Sequence, residues 1–453
     1  MQPDQLAAPT GAELLAWERM VQDVAIYGPI SLTTSLRRRC ALIVADTLGV
    51  ITAGARTPEV HALVARRGQP LFELPHGGTT IIGHPATATD PVSAAFVNAT
   101  SGTFLELDEG IRPTGHPSIQ VAPAALAVAE ATGAHGDRFL RAFAAGYEVV
   151  ARLFQAYEVT YPLHPHGNLG AVGAAVSAAL LAGTDPLRAA RIAATSPLLS
   201  LWDACHEGAT ARNSYTGHAA ALGVRSIQLD RAGFTGSSAT LETAFGRVAG
   251  CPRDLEALCV DPSQPLAHHK ENYLKVYSAC ALVHGGLEGA MQLGPIDVDR
   301  IGSIRVATVR NNHKVLQQPR PNDLSARFSL PYAVAHGLMR GTTALDFAYH
   351  TDVAELARRV EITFPEVLES SWPRHAPTVV SVEVDGALRE VRVDDPLGHY
   401  SRPLTDADVR SKFASLVAHP AADRVFDAVL GLADDAPVAA VLQALDQRMP
   451  GSM

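Results

Sequence analysis

The spacing of hydrophobic residues changes once along this chain of 453 residues, near residue 265. Before that point, apolar residues recur at helical spacing, as in the run from Cys40 to Ala53. After it, Ile301 to Val309 alternates between apolar and polar residues, as a half-buried strand does. The alternating runs 378–384 and 387–393 flank Asp385-Gly386, a pair typical of a tight hairpin. The pattern predicts a mostly α protein.

This change near residue 265, together with the return of a helical pattern after residue 403, divides the chain into three parts. We expect a large all-helical bundle domain over residues 1–268 and a smaller α+β lid domain over residues 269–403, with prolines at both junctions. Residues 404–453 return to a helical pattern after Thr405, which resembles a helix-capping residue. These C-terminal helices should pack back on the helical domain.

Several helices can be placed more closely. Small residues such as Gly170 and Gly173 would allow neighbouring helices to approach each other, which favours a compact bundle. The predicted helices cover residues 119–132, 136–154, 167–181, 186–195, 212–229, 329–340 and 343–347.

Charge and composition exclude several functions. The net charge of −9 and the lack of a long basic run disfavour nucleic acid as a partner. The uncharged apolar stretch from Ala171 to Gly183 is too short to cross a bilayer, so no membrane association is expected. The first residues, Met1 to Trp17, lack the pattern of a secretory signal. A cytoplasmic location is the resulting expectation.

Cysteines and glycines exclude some cofactors. The five cysteines are an odd number without a C-x-x-C pair, which favours reduced thiols and disfavours an iron–sulfur cluster. No phosphate-binding glycine loop follows a strand, and no nucleophile elbow is present. No cofactor is therefore expected.

The acidic run Glu106-Leu107-Asp108-Glu109 is unusual in a chain with only 18% charged residues. Asp90-Pro91 predicts the start of a helix that continues to about Glu109 and stops at Gly110. On such a helix Glu106 and Glu109 would share a face, while Asp108 would point elsewhere. Acid–base chemistry and a solvated helix end both remain open.

Two histidine loops follow the acidic run. His116 begins a His-Pro-Ser segment and would make a general base if a carboxylate such as Glu106 oriented it. His164 precedes a glycine-rich helix start, where backbone N–H groups could bind a carboxylate. Loop histidines satisfied by backbone, or a metal held by His164 and His166, are the alternatives.

Two basic residues could bind an anionic substrate. Arg212 lies just before a predicted helix, and its planar guanidinium suits a carboxylate. Lys275 opens the second domain, with His284 further along, and could neutralise an anion across the cleft. Structural ion pairs remain the alternative for both residues.

Taken in order, these segments resemble the MmgE/PrpD family over nearly the whole chain. The family contains dehydratases, decarboxylases and epimerases of small carboxylic acids. The resemblance is carried by the acidic run with His116-Pro117-Ser118, Gly146-Tyr147-Glu148, His164-Pro165, Lys275-Val276-Tyr277 with His284, Tyr400, Pro403-Leu404-Thr405, and Lys412-Phe413.

The resemblance implies a helical domain formed by both chain ends, an α+β lid, a cleft between them, no metal or organic cofactor, and a homodimer. It assigns family active-site positions to Glu106, His116, His164, Arg212, Lys275 and Tyr332. Two positions differ from the family pattern: Glu106 stands where relatives carry aspartate, and Arg212 where the decarboxylases carry lysine.

The function expected from these residues is proton abstraction next to a carboxylate, most simply dehydration of a small hydroxy di- or tricarboxylate. An isomerase or epimerase, a decarboxylase of an aconitate-like acid, and a non-catalytic carboxylate-binding protein are the alternatives. The expected catalytic residues are His116, His164, Glu106, Asp108, Lys275 and Tyr332. The expected substrate-binding residues are Arg212, Lys275, Ser118 and His284.

Overall fold

The computed structural model describes residues 14–65, 78–84, 87–88, 90–341 and 347–446. Helices make up 58% of the structure and strands 10%, which confirms the mostly α fold with a smaller α+β region. Up to residue 243 the helices are α1 (Ala16–Ile30), α2 (Thr34–Gly54), α3 (Pro58–Ala65), α4 (Pro91–Ser101), α5 (Pro117–Ala131), α6 (Gly136–Ala156), α7 (Gly170–Ala182), α8 (Pro186–Ala194), α9 (Asp203–Glu207), α10 (Ser214–Arg231) and α11 (Thr240–Thr243).

The later helices lie between and after the longer strands. They are α12 (His284–Leu293), α13 (Asp323–Arg327), α14 (Leu330–Arg340), α15 (Thr351–Ala357), α16 (Glu366–Glu369), α17 (Asp406–Val417), α18 (Ala422–Leu430) and α19 (Val438–Asp446). The strands are β1 (Thr79–Thr80), β2 (Thr87–Ala88), β3 (Gly110–Ile111), β4 (Tyr157–Val159), β5 (Gly250–Pro252), β6 (Asn272–Tyr273), β7 (Ile301–Thr308), β8 (Val360–Thr363), β9 (Thr378–Val384) and β10 (Ala387–Val393).

Glycines set the spacing between the central helices α6 and α7. A Cβ atom added to Gly146 would lie 2.5 Å from the Gly173 carbonyl oxygen, and one added to Gly173 would lie 2.2 Å from Val150. Such distances are far below van der Waals contact, so only glycine allows this approach. The close helix packing predicted from the small residues is therefore present.

The second part of the chain contains one sheet of four strands, in the order β10-β9-β7-β8. Strand β7 pairs parallel with β8 and antiparallel with β9, and β9 and β10 form the hairpin around Asp385-Gly386. Asp385 and Gly386 both have positive φ angles, as a type I′ turn requires. Helices α12 and α14 share a buried apolar cluster with the inner face of this sheet.

The C-terminal helices pack on the first domain. Phe413 and Leu416 of α17 belong to the same buried cluster as Leu48 of α2. Lys412 of α17 is buried and its Nζ lies 2.6 Å from Asp46 of α2. Thr405 accepts from the Asp408 amide and forms the predicted helix cap.

The acidic run is not helical, and the prediction of a helix to Glu109 is wrong. Helix α4 ends at Ser101, eight residues early. Gly102 packs tightly there, since a Cβ atom added to it would lie 2.2 Å from Ile119. Glu106 has a left-handed backbone with φ of 52°, which no α-helix contains. We call residues 103–109 the acidic loop.

Two other expectations concern absent features. The helix predicted at 343–347 falls outside the described residues except for Phe347, which is not helical. Within the described residues no single helix is long and apolar enough to cross a membrane. One bent pair, Thr34–Gly54 with Pro58–Val64, meets the length and composition test with an 87° bend.

Candidate active site

A short antiparallel pair of strands joins the acidic loop to the segment that carries Lys275. In this pair, Gly110 of β3 faces Tyr273 of β6, 163 residues later in the chain. A Cβ atom at Gly110 would lie 2.3 Å from the Tyr273 hydroxyl, so the position needs glycine. The pairing places Lys275 against the two carboxylates that precede β3.

Asp108 is the centre of this arrangement. Its Oδ1 lies 3.2 Å from Nζ of Lys275, and its Oδ2 lies 2.9 Å from Nδ1 of His116. Burial opposes the charge on Asp108, but Lys275 and His116 outweigh it and hold the pKa of this carboxyl well below its usual value. Asp108 is therefore a buried carboxylate, available to orient a base.

Glu106 forms a second buried ion pair. It accepts from Nη1 of Arg212, and its other oxygen lies 3.5 Å from Nζ of Lys275. Burial opposes the charge of Arg212, but Glu106 outweighs it and raises the pKa of the guanidinium. The guanidinium also lies over the Phe328 ring, 4.9 Å from its centroid. Arg212 is therefore held rigidly by the left-handed residue Glu106.

The hydrogen bonds of His116 leave one nitrogen free to act as a base. Its Nδ1 lies 2.8 Å from the Glu109 carbonyl oxygen and 2.9 Å from Asp108 Oδ2, which are both acceptors. A proton on Nδ1 satisfies this contact and leaves Nε2 as the basic nitrogen. This geometry brings His116 together with Asp108, whereas Glu106 is paired with Arg212.

His164 has the opposite tautomer. Its Nδ1 accepts from the His166 amide at 3.1 Å, and its Nε2 lies 3.5 Å from Nη2 of Arg212. The shorter of these contacts favours a neutral ring with its proton on Nε2. Burial and then the positive charge of Arg212 lower the pKa of His164 well below its usual value. His164 can therefore donate a proton from Nε2, while His116 can accept one at Nε2.

His166 is a buried residue that the sequence interpretation considered only as a ligand of an alternative metal site. Its ring lies between those of His116 and His164, with centroids 4.5 Å and 4.6 Å away. Its Nε2 lies 3.6 Å from Asp108. Burial and then His116 lower the pKa of His166. The alternation His164-Pro165-His166 was the available signal for this edge-to-face set of histidines.

A cavity of about 510 Å³ opens beside these residues. Its wall combines residues before 213 with residues after 272, so both parts of the chain form it. The lining residues include Glu106, Arg112, His116, His164, Trp202, Arg212, Tyr273, Lys275, Cys280, Asn311, Lys314 and Phe328. Two complementary histidines and several cations thus line one cavity that opens to solvent.

Profiles of two known domain families match successive parts of this chain. The profile of the MmgE/PrpD N-terminal domain matches residues 18–255, and that of the MmgE/PrpD C-terminal domain matches residues 277–430. The first match alone covers more than half of the chain. The chain belongs to the MmgE/PrpD family.

Three similar proteins share most of their length with this MmgE/PrpD chain. The cis-aconitate decarboxylase of Mus musculus is 26% identical over 420 residues, covering 84% of this chain and 82% of the relative. The Homo sapiens enzyme is 26% identical over 417 residues, covering 84% and 83%. The Aspergillus terreus enzyme is 24% identical over 453 residues, covering 90% and 91%.

Three predicted site residues of this family member lie elsewhere. Ser118 lies behind the acidic loop, with its hydroxyl 2.6 Å from that of Thr47. His284 bonds to the Ala279 carbonyl oxygen at 3.0 Å and lines a smaller neighbouring cavity, which shares Arg112, Tyr273 and Lys275 with the larger one. The Tyr332 hydroxyl donates to the Ala348 carbonyl oxygen at 2.7 Å, inside the core of the second domain.

Glu109 points away from Glu106, so the predicted shared face is also wrong. It accepts from the Tyr147 hydroxyl at 2.5 Å and from the Ser118 amide at 2.9 Å. Burial raises the pKa of Glu109 to about 8, although the bond from Tyr147 opposes the rise. Glu109 supports the loop from behind, and Glu106 and Asp108 are the acids on the Lys275 side.

Two groups in the described part of the chain place three possible metal ligands within 4.8 Å of one another. One combines Asp108, His116 and His166, and an ion there would lie close to the Lys275 ammonium, which repels it. The other combines His375, Asp395 and His399. In that group His375 Nδ1 and the Ser401 hydroxyl each lie 2.7 Å from Asp395 Oδ2, as in an ordinary hydrogen-bonded cluster.

Proposed function

We propose that this chain is a cofactor-independent lyase that removes a proton next to a carboxylate, with elimination of water from a small hydroxy acid as its reaction. The observation that carries the proposal is a pair of histidines on one cavity with opposite contacts at Nδ1. In His116, Nδ1 lies beside two acceptors, so Nε2 is the nitrogen that can accept a proton, and no described residue bonds to it. In His164, Nδ1 accepts from a backbone amide, so Nε2 is the nitrogen that can donate one. A base and a proton donor thus face the same cavity.

In the proposed reaction, Nε2 of His116 takes the proton from the carbon next to the carboxylate. The electron pair of the broken C–H bond moves into that carboxylate, and the nearby ammonium of Lys275 stabilises the added negative charge. The pair then returns to form the C=C bond as the C–O bond breaks. His164 Nε2 gives its proton to the leaving hydroxyl, which departs as water.

Asp108 supports the first step. Proton transfer makes His116 an imidazolium, and the carboxylate 2.9 Å from its Nδ1 stabilises that positive charge. Because Asp108 is already ionised, the protein need not rearrange when the charge appears. Asp108 is a positioning residue in this proposal, while His116, His164 and Lys275 contact the reacting groups.

Decarboxylation is the second candidate, since the similar proteins are cis-aconitate decarboxylases. In that reaction a C–C bond breaks, its electron pair stays on carbon, carbon dioxide leaves, and a protonated histidine supplies the proton. Burial and the positive charge of Arg212 lower the pKa of His164, so this ring does not carry the extra proton that decarboxylation needs. Arg212 cannot supply that proton instead, because its guanidinium keeps its charge beside Glu106. Elimination therefore fits the site better.

The test is proton NMR in heavy water with malate, citrate, methylcitrate, aconitate, itaconate and iminodisuccinate, of which malate is the hydroxy dicarboxylate. Elimination, decarboxylation, epimerisation and simple exchange each leave a different spectrum. Wild-type protein should turn over at least one hydroxy acid to an alkene, and His116→Gln should slow this at least about a hundredfold. His61→Gln, an exposed histidine on α3, is the matched control. Binding without exchange or product would sink the proposal.

A further inference from the structure

Arg112 is a cavity residue whose charge has no acidic partner in the described part of the chain. It follows β3 directly and stands four residues before His116. It is 9% exposed and lines the 510 Å³ cavity. Its guanidinium lies 5.8 Å from the Tyr273 ring centroid and 5.7 Å from that of Trp372. Its buried Nε has no hydrogen-bond acceptor among the described residues.

The other deep cations of the cavity are already neutralised. Arg212 is paired with Glu106, and Lys275 lies between Glu106 and Asp108. The sequence predicted that Arg212 and Lys275 bind substrate carboxylates. In the structure the charge of each is already balanced by a carboxylate of the protein. A buried cation without a counter-ion is unfavourable, so Arg112 has the greater need for an external anion.

Lys314 supplies a second unpaired charge on the same cavity. Its Nζ donates to the Asn311 side chain at 2.7 Å, and no acid of the described chain lies within 4.0 Å of it. Burial lowers the pKa of Lys314, although the charge of Glu158, which forms no ion pair with it among the described residues, opposes the shift. Both Lys314 and Asn311 line the cavity.

The charge balance indicates how many negative charges the cavity accepts. The basic residues on its wall, as far as the chain is described, are Arg112, Arg212, Lys275 and Lys314. Glu106 and Asp108 compensate two of them. Two positive charges remain, which matches a dianion rather than a monoanion or a trianion.

We propose that Arg112, with Lys314, forms an anion subsite that selects a dicarboxylate and binds the carboxylate remote from the reacting carbon. The planar guanidinium suits a carboxylate, and its stacking on Tyr273 and Trp372 holds it in place. That the bound dicarboxylate is the substrate of the enzyme rests on the proposed lyase function. That the subsite binds a dianion is independent of that function.

The test is isothermal titration calorimetry at low salt with acids that cannot react. Succinate and glutarate are the dianions, butyrate is the monoanion, tricarballylate the trianion and sulfate the inorganic control. Wild-type protein should bind a dicarboxylate most tightly. Arg112→Gln should weaken that binding at least about tenfold, and Arg112→Lys should weaken it less. Arg392→Gln, an exposed arginine on β10, should bind as wild type.

Circular dichroism melting checks that Arg112→Gln remains folded. Equal succinate binding by wild type and Arg112→Gln would overturn the proposal, as would equal binding of butyrate, tricarballylate or sulfate by wild type. Because these acids do not react, the result is independent of turnover. If Arg112 binds a dicarboxylate but no acid in the NMR panel reacts, the anion subsite is supported and the proposed lyase function is contradicted. If the protein turns over an acid and Arg112→Gln leaves the KM unchanged, the lyase function is supported and the subsite is contradicted.

Discussion

Asp108 touches His116 and Lys275 with different oxygens, at 2.9 Å and 3.2 Å. One buried carboxylate therefore orients the proposed base and also anchors a cation from a segment 167 residues away. This double contact explains why an acid is buried here at all. The ammonium of Lys275 and the close Nδ1 of His116 offset the loss of solvation of this carboxylate.

Asp108→Asn should affect catalysis and stability together. The amide cannot balance the buried ammonium of Lys275, which keeps only Glu106 at 3.5 Å. We expect a loss of about 3 kcal/mol in the free energy of unfolding and at least about a hundredfold loss in kcat. Urea unfolding and steady-state rates measure the two effects. Asp427→Asn, at an exposed ion pair, is the control and should change neither.

The two histidines should fail in different ways. His116→Gln should abolish incorporation of solvent deuterium next to the carboxylate, because it removes the base. His164→Gln should keep that exchange while product formation falls at least about a hundredfold, because only the leaving group lacks its acid. Proton NMR in heavy water on the reactive acid follows both signals. Equal loss of exchange in both variants would contradict the assignment of base and acid.

Glu109 should make the stability of the protein depend on pH. Burial raises its pKa in the folded protein from 4.5 to about 8, so the folded state binds the proton more tightly than the unfolded chain. The stabilisation from this group is complete below about pH 4.5, declines as the pH rises, and is lost above about pH 8.

Glu109→Gln mimics the protonated acid and should remove that dependence. Relative to the variant, the wild type should lose stability on the order of a few kcal/mol between pH 5 and pH 9. Urea unfolding at several pH values measures the difference. Glu355→Gln, on the exposed side of α15, should follow the wild-type curve. A constant difference between wild type and Glu109→Gln would contradict the prediction.

The contact between Lys412 and Asp46 should hold the C-terminal helices and the acidic loop together. Lys412 Nζ lies 2.6 Å from Asp46 and donates to the Leu107 carbonyl oxygen at 3.1 Å. Lys412→Met leaves Asp46 buried and alone, and should cost about 3–5 kcal/mol of unfolding free energy. Adding Asp46→Asn should recover part of it.

Thermal and urea unfolding of the single and double variants test this cycle. Lys270→Met, at an exposed lysine, serves as the control. If the double variant is as unstable as Lys412→Met, the loss of stability does not come from the unpaired charge of Asp46, and the prediction is contradicted.

Local patterns were sufficient for much of the fold. The hairpin at Asp385-Gly386 needs positive φ at both residues, a requirement that short-range sterics impose and the sequence displays. Helix α5 begins at Pro117, and α17 begins after the Thr405 cap, because these residues act on their own backbone. Among the predicted site residues, Glu106, His116, His164, Arg212 and Lys275 do line one cavity.

Contacts between segments that are distant in the chain could not be predicted from local sequence patterns. Gly102 ends α4 because it packs on Ile119, and Gly110 pairs with Tyr273 far along the chain. These two contacts turn the acidic run into a loop, reverse the directions assigned to Asp108 and Glu109, and set Lys275 beside the carboxylates. Helical periodicity alone could not reveal them.

The sequence by itself determined the kind of fold and the chemical groups, because hydrophobic spacing, caps and turn residues act within a few residues of themselves. Only the tertiary structure decided which groups meet. Arg212 became the partner of Glu106 and His116 that of Asp108, while Arg112 has no acidic partner among the described residues. The reason is that buried charges take the partner that packing brings within about 4 Å, whatever their separation along the chain.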